Sequence, residues 1–368
     1  MAEVHTSVTR DVVTVNELAD SFCCRIFHKY TDFDEIHAIF DTHIHDSLKS
    51  SERNRRQQGE QPIRYRSKTA QEWRTFHSEA FITYTNKRRN RWNIQQVTYR
   101  CRYWQEEKCD SFVPPRSDFE KYWYMYLSST HEEADTKILL HSVHATRREA
   151  TRIRNFLTWH WCYDTGRSTS AHDDHRHRVC CHGVKKRDID LTTIYDALGP
   201  MRAAALTGMH AISGADVTGS FSGKAEASFW NRFLDSPVEV LQVLGAMGEA
   251  NDVPDEHYTV SEQFICSVYQ QPRPNATFLK LADLRWWLYC KKQAQGASLP
   301  PTAASLRPAI QRCHYQCIEW CRDIHCHPQL PAPSGYGWVL ESGKYEPVRP
   351  AMCTRRCTGC YQMLLQVR

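Results

Sequence analysis

The spacing of apolar positions predicts a helix and a strand near the start of the chain and mainly helices in its second half. Apolar residues recur at near-helical spacing over 15–27, and residues 35–41 alternate as a strand does before ending on an acid. Residues 129–145 combine an apolar face with a Ser or Thr cap at the start, which predicts a helix. Several helical stretches follow between residues 226 and 330.

Three polar or irregular segments interrupt this pattern. A helix over 47–68 would have no apolar face, so we expect it to be exposed or mobile. Residues 165–188 are poor in apolar side chains and predict a disordered insert. Residues 331–368 begin as a Pro/Gly-rich linker and end in a tail that contains cysteines.

Composition and charge narrow the class of protein. With 368 residues, 41% of them hydrophobic, the chain is neither wholly disordered nor collagen-like. It has no apolar run of membrane-spanning length and no secretory signal at its start, so we expect an intracellular protein without a membrane partner. Residues 49–108 carry 15 Lys/Arg against 6 Asp/Glu, and this basic segment indicates an anionic partner such as nucleic acid.

Four acids stand at the edges of predicted elements. Asp41 ends the first strand, Glu133 and Asp135 open the helix at 129–145, and Asp216 follows in a Gly-rich turn. Carboxylates that converge repel one another unless a cation neutralises them. Hard oxygen ligands suit Mg²⁺ or Mn²⁺, so these four acids are our candidate metal ligands.

Three blocks around these acids carry a family resemblance: EIHAIFDTHIHDSLKSSERNRR, SSTHEEADTKILLHSVHA and ALTGMHAISGADVTGSFSGK. They resemble, in order and spacing, the flap-endonuclease/XPG-type nucleases of the PIN-like superfamily, in the divergent branch found in invertebrate mobile-element-like proteins. Lys49 and Arg56 are seven residues apart, as are that family's two catalytic basic residues. The combination is more specific than any single block.

The resemblance implies a fold and an activity. The expected fold is an α/β core over 10–236, a mostly parallel sheet flanked by helices, with a helical extension over 237–330. The implied function is metal-dependent, structure-specific cleavage of DNA, with a nuclear location. Lys49 and Arg56 would contact the scissile phosphate, and the wider nucleic-acid contacts would be Lys49, Arg53, Arg55, Arg56 and Lys224.

The sequence also departs from that family. We find no counterpart of the family's N-terminal strand with its first metal-binding Asp, nor of the Asp-x-Asp pair expected after the Glu133 helix. Residues 165–185 do not match either, and their composition suggests a local change of reading frame or an error in the gene model. This copy therefore looks incomplete, and the missing acids threaten the second metal ion most.

Alternatives stay open for the individual residues and for the whole chain. Glu133 could complete a capping box with Thr130, Asp216 could be an ordinary turn residue, and the cations of 49–56 could form a solvated face. Cys353, Cys357 and Cys360 have the spacing of a zinc fragment but lack a fourth ligand, so we do not expect zinc. The alternative function is an inactive nuclease-fold scaffold that binds DNA or protein through residues 49–108.

Overall fold

This computed structural model describes residues 46–56, 127, 129–147, 187–270, 277–291 and 298–349, single positions at 28, 39 and 44, and the backbone of four short strands between residues 35 and 181. Asp41 and the cysteines at 353, 357 and 360 lie outside the described residues, and of Arg56 only the backbone is described. The helices within this part are α1 (Leu48–Arg56), α2 (Ala134–Arg147), α3 (Leu191–Gly214), α4 (Glu226–Leu234), α5 (Val238–Ala246), α6 (Asp255–Tyr269), α7 (Leu281–Cys290) and α8 (Ala303–Cys321).

The strands of the described part form three small sheets. β1 (Glu35–His37) pairs antiparallel with β2 (Thr98–Arg100). β3 (Ile153–Leu157) pairs parallel with β4 (His177–Cys181), which pairs antiparallel with β5 (Arg187–Asp190). β6 (Trp338–Glu341) and β7 (Lys344–Pro347) form a hairpin. A mostly parallel sheet flanked by helices over 10–236 stays a prediction.

Two segments differ from their predicted character. The insert expected to be disordered over 165–188 contains β4, and the expected linker after residue 331 contains the β6–β7 hairpin. The hairpin forms because Ser342 and Gly343 adopt positive φ between its strands, and the backbone N–H of Val348 donates to the carbonyl of Gly337. No helix in the described ranges has the length and apolar character that spanning a membrane requires.

The hydrophobic core lies between helices α3 to α8. Phe229 and Phe233 of α4 and Phe264 of α6 are fully buried, and Phe229 meets Phe264 edge to face at 6.1 Å between ring centroids. Helix α3 supplies small or flexible residues to the same core, among them Ala205 and Met209. It is interrupted where Gly199 takes φ 74° ahead of Pro200, because neither residue continues an α-helix.

A very close approach of α3 to α5 depends on Gly208. A Cβ placed on Gly208 would lie 2.2 Å from the carbonyl oxygen of Leu244, a backbone atom that cannot move aside alone. Gly245 stands at the same crossing, but a Cβ there would lie 3.7 Å from Ala204, which is ordinary van der Waals contact. The packing of α3 against α5 therefore requires a glycine at position 208 but not at position 245.

Replacing Gly208 with Ala should lower the free energy of unfolding by about 1–3 kcal/mol, because the helices must separate. Gly245→Ala is the matched control, and it should leave stability unchanged or raise it by up to about 1 kcal/mol through better helix propensity. Urea unfolding followed by circular dichroism measures both variants. Equal effects of the two substitutions would contradict the close-contact account.

Candidate functional site

Helix α1 begins beside two other segments of the predicted site. Ser47 caps it, because its Oγ accepts a hydrogen bond from the backbone N–H of Ser50 at 2.9 Å. The helix has almost no apolar surface, yet it is not simply exposed: its side chains make polar contacts to neighbouring segments. Ser51 Oγ accepts from the N–H of Tyr345 in β7 at 3.1 Å, so the C-terminal hairpin helps to hold α1.

Lys49 on the first turn of α1 brings two of the predicted acids together. Its Nζ lies 2.5 Å from Glu133 Oε1 and 3.9 Å from Asp216 Oδ2. The Lys49 and Glu133 side chains are 19% and 30% exposed, and Asp216 is 56% exposed, so the cluster is shielded on one side and open on the other. We call these three residues the Lys49 cluster.

The residues just before Glu133 are held by hydrogen bonds to the segment that follows α8. The N–H of Thr130 donates to the carbonyl of Cys326, and His131 Nε2 donates to the carbonyl of His325 at 2.8 Å. Helix α2 begins only at Ala134, later than the sequence suggested, so Thr130 is not its cap. The Glu133 carboxylate points to Lys49 rather than back to the helix start, unlike in the capping-box alternative.

Asp216 lies in a tight turn after α3. The turn closes through two hydrogen bonds between Ala215 and Thr218: the Thr218 N–H donates to the Ala215 carbonyl, and the Ala215 N–H donates to Thr218 Oγ1 at 2.8 Å. Val217 and Thr218 are buried beneath the turn, whereas Asp216 faces outward. Asp216 is therefore both a turn residue and a member of the Lys49 cluster.

The other predicted site residues have separate partners. Arg53 Nη1 donates to Glu132 Oε1 at 2.9 Å, and Arg55 pairs with Glu52 on its own helix. Lys224 Nζ lies 4.8 Å from the ring centroid of Tyr269, and burial lowers the Lys224 pKa, helped by the charge on Arg232. Asp135 occupies the first turn of α2 and is partly buried.

The sequence did not indicate Glu319, a partly buried acid in the last turn of α8. Burial raises its pKa to about 7, the negative charges of Glu133 and Glu132 add to the shift, and Lys49 opposes it. Gln316 Nε2 donates to its Oε2 at 3.1 Å. Glu319 lies more than 100 positions in sequence from every residue of the Lys49 cluster, and no local pattern marks such an approach.

The donor set can be tested against a divalent ion. Within the described ranges no group of three or more His, Cys, Asp or Glu side chains is placed to hold a metal. Glu133 and Asp216 supply two carboxylates that reach one cation, the Lys49 ammonium. Two carboxylates are a donor set that Mg²⁺ accepts when waters and substrate phosphates complete its coordination.

Replacing Glu319 with Gln should alter the pH dependence of stability. The folded pKa of about 7 exceeds the 4.5 of an ordinary Glu, so the folded state holds the proton more tightly than the unfolded state. The stabilisation is then complete below pH 4.5 and is lost as the pH rises through 7, by on the order of a few kcal/mol. Urea unfolding in EDTA from pH 4 to 8 measures this fall, and Glu319→Gln should flatten it.

Glu239→Gln, at an exposed position of α5, is the control for that substitution and should keep the wild-type profile. A Glu319→Gln profile as steep as that of the wild type would contradict a partly buried Glu319 whose pKa is raised in the folded state.

Comparisons with protein-family models, with curated proteins and with solved structures found no match to this chain.

Proposed function

We propose that the protein is a divergent Mg²⁺- or Mn²⁺-dependent nuclease that cleaves structured or flapped DNA in the nucleus. The observation that carries this proposal is the meeting of Lys49, Glu133 and Asp216, with ion-pair distances of 2.5 and 3.9 Å. These residues come from three separate sequence blocks, each of which resembles the nuclease pattern.

Each residue of the cluster has a role in the proposal. Glu133 and Asp216 would hold the metal ion, together with Asp41 and Asp135 as the resemblance implies. When bound, the ion supplies Lewis-acid stabilisation of the phosphate and activation of water. Lys49 would contact the scissile phosphate, and Arg56 on the same helix would be the second basic residue that does so, as the resemblance implies.

The exposure of the cluster suits a large substrate. Asp216 is more than half exposed, and Glu133 and Lys49 keep part of their surface in water, so a DNA backbone can reach them. Three cations of α1 already contact acids: Lys49 with Glu133 and Asp216, Arg53 with Glu132, and Arg55 with Glu52. Phosphate binding by α1 must therefore compete with carboxylates of the protein, and a metal ion that neutralises those carboxylates would favour it.

A non-catalytic scaffold is the second candidate, and one observation favours it. The Lys49 ammonium already pairs with Glu133 and lies 3.9 Å from Asp216, so the protein itself offsets part of the negative charge of the two carboxylates. In that case the site would be a structural ion-pair cluster, and DNA or protein would bind through the basic segment 49–108.

Asp216→Asn should reduce cleavage of a labelled 5′-flap DNA by about a hundredfold or more, since a ligand and its charge are lost. The assay compares Mg²⁺, Mn²⁺ and EDTA, and Glu133→Gln should behave like Asp216→Asn. Asp196→Asn, at an exposed position of α3, is the matched control and should cleave at the wild-type rate. A folded wild-type protein that does not cut with either metal would refute the nuclease proposal.

Lys49→Met separates the two candidates through DNA binding measured in EDTA. If Lys49 contacts phosphate only after a metal neutralises the acids, the substitution should change affinity in EDTA less than twofold and reduce cleavage in Mg²⁺ more than tenfold. Lys291→Met, an exposed lysine after α7, controls for the lost charge. A scaffold would instead bind DNA in EDTA with a steep salt dependence and show no cleavage to lose.

A further inference from the structure

A second site lies beside the Asp216 turn, in a pocket that surrounds Arg312. Its walls come from the loop at 218–222, from Tyr269 at the end of α6, from residues 299 and 301, and from α8. Five of its lining residues carry hydroxyl groups, namely Thr218, Ser220, Ser222, Tyr269 and Ser305. Among the described residues that line the pocket, Arg312 is the sole charged side chain, and none is an acid. We call this site the Arg312 pocket.

Arg312 is a buried cation with weak compensation. Its side chain is 4% exposed, and within the described ranges no carboxylate lies within 4.0 Å of it. Nε donates to the carbonyl of Thr218 at 3.4 Å and Nη1 to that of Gly337 at 3.3 Å, both longer than a typical hydrogen bond. The Trp338 ring lies 5.6 Å from Cζ and adds a modest cation–π attraction.

The surroundings make this charge costly. Burial lowers the Arg312 pKa, and the nearby positive charge of Arg55 on α1 lowers it further, while Cys313 acts in the opposite direction. A buried guanidinium normally finds a carboxylate or another anion, because two carbonyl contacts do not replace its hydration. An anion in the pocket would therefore relieve the cost of burying Arg312.

The size of the pocket limits the ligand. It has room for about three water molecules. That space is of the order of one phosphate group and is too small for a nucleoside. Guanidinium groups recognise phosphate with several parallel hydrogen bonds. The wall also carries hydroxyl groups, of which those of Thr218, Tyr269 and Ser305 already hydrogen-bond to the protein.

We propose that the Arg312 pocket binds a phosphate group of a nucleic-acid strand. The pocket is distinct from the Lys49 cluster, although Thr218 in its wall follows Asp216 by two residues. The identity of the strand rests on the proposed nuclease function, whereas the anion itself follows from Arg312 and its surroundings. The pocket would hold the strand next to the cluster through a contact that needs no metal ion.

The test uses the full chain in EDTA at low salt, so that cleavage does not enter the result. Fluorescence anisotropy measures binding of a 3′-labelled oligothymidylate with either a 5′-phosphate or a 5′-hydroxyl. Arg312→Gln should weaken binding about tenfold, the loss expected for a charge-assisted contact. Arg307→Gln, an exposed arginine on the same helix that pairs with Asp255, should change affinity less than twofold.

A second variant covers the case that Arg312→Gln does not fold. Ala309 lines the pocket from α8, and Ala309→Leu should fill it while leaving Arg312 in place, with a similar tenfold loss. Inorganic phosphate is a third arm: it should compete with the oligonucleotide for wild-type protein and compete about tenfold less well for Ala309→Leu. Circular dichroism confirms that each variant is folded.

The two oligonucleotides distinguish the source of the phosphate. A loss confined to the 5′-phosphorylated strand assigns the pocket to a strand end, and equal losses assign it to an internal phosphodiester. Wild-type affinity of folded Ala309→Leu for both strands, with unchanged competition by inorganic phosphate, would overturn the proposal. Because every arm is run without metal, failure of the nuclease assay and failure of this test are separate results.

Discussion

Compensation of buried and half-buried charge is the constraint on which the arrangement around α1 depends. Lys49 pairs with Glu133 and approaches Asp216, and Arg53 pairs with Glu132. Helix α1 has little apolar surface, so these ion pairs take the place of a hydrophobic contact in fixing it to the rest of the chain. The charges of the Lys49 cluster contribute to this packing, and they are also the charges that a metal ion and a phosphate would use.

Two cations near the Asp216 turn show opposite solutions to burial. Lys49 has acids close to its ammonium, whereas Arg312 has carbonyl oxygens and an indole ring but no described carboxylate within ion-pair distance. The first arrangement is satisfied within the protein, and the second becomes fully satisfied only with an external anion. The helical core supports both, because α8 carries Arg312 and Glu319 on one rigid element.

Part of the fold could be predicted from the periodicity of the chain. The helical character of 237–330 is visible in the apolar spacing, and the structure has α5, α6, α7 and α8 there. The start of α2 and the β6–β7 hairpin could not be predicted from the sequence, since both depend on distant partners. The N–H of Thr130 donates a hydrogen bond to the carbonyl of Cys326, and the N–H of Tyr345 donates one to Ser51 Oγ. Composition suggested a linker where hydrogen bonds across the chain form a hairpin.

The sequence alone determined which residue types stand at the ends of the predicted elements, and so it selected Lys49, Glu133 and Asp216 as candidates. Their distances, and the contributions of Glu319 and Arg312, were decided only by the tertiary structure. The physical reason is that charge compensation acts through space, while sequence patterns report neighbours within a turn or two. The acids that raise the pKa of Glu319 come from distant segments, and so do the surroundings that bury Arg312. Both features are therefore visible only in the tertiary structure.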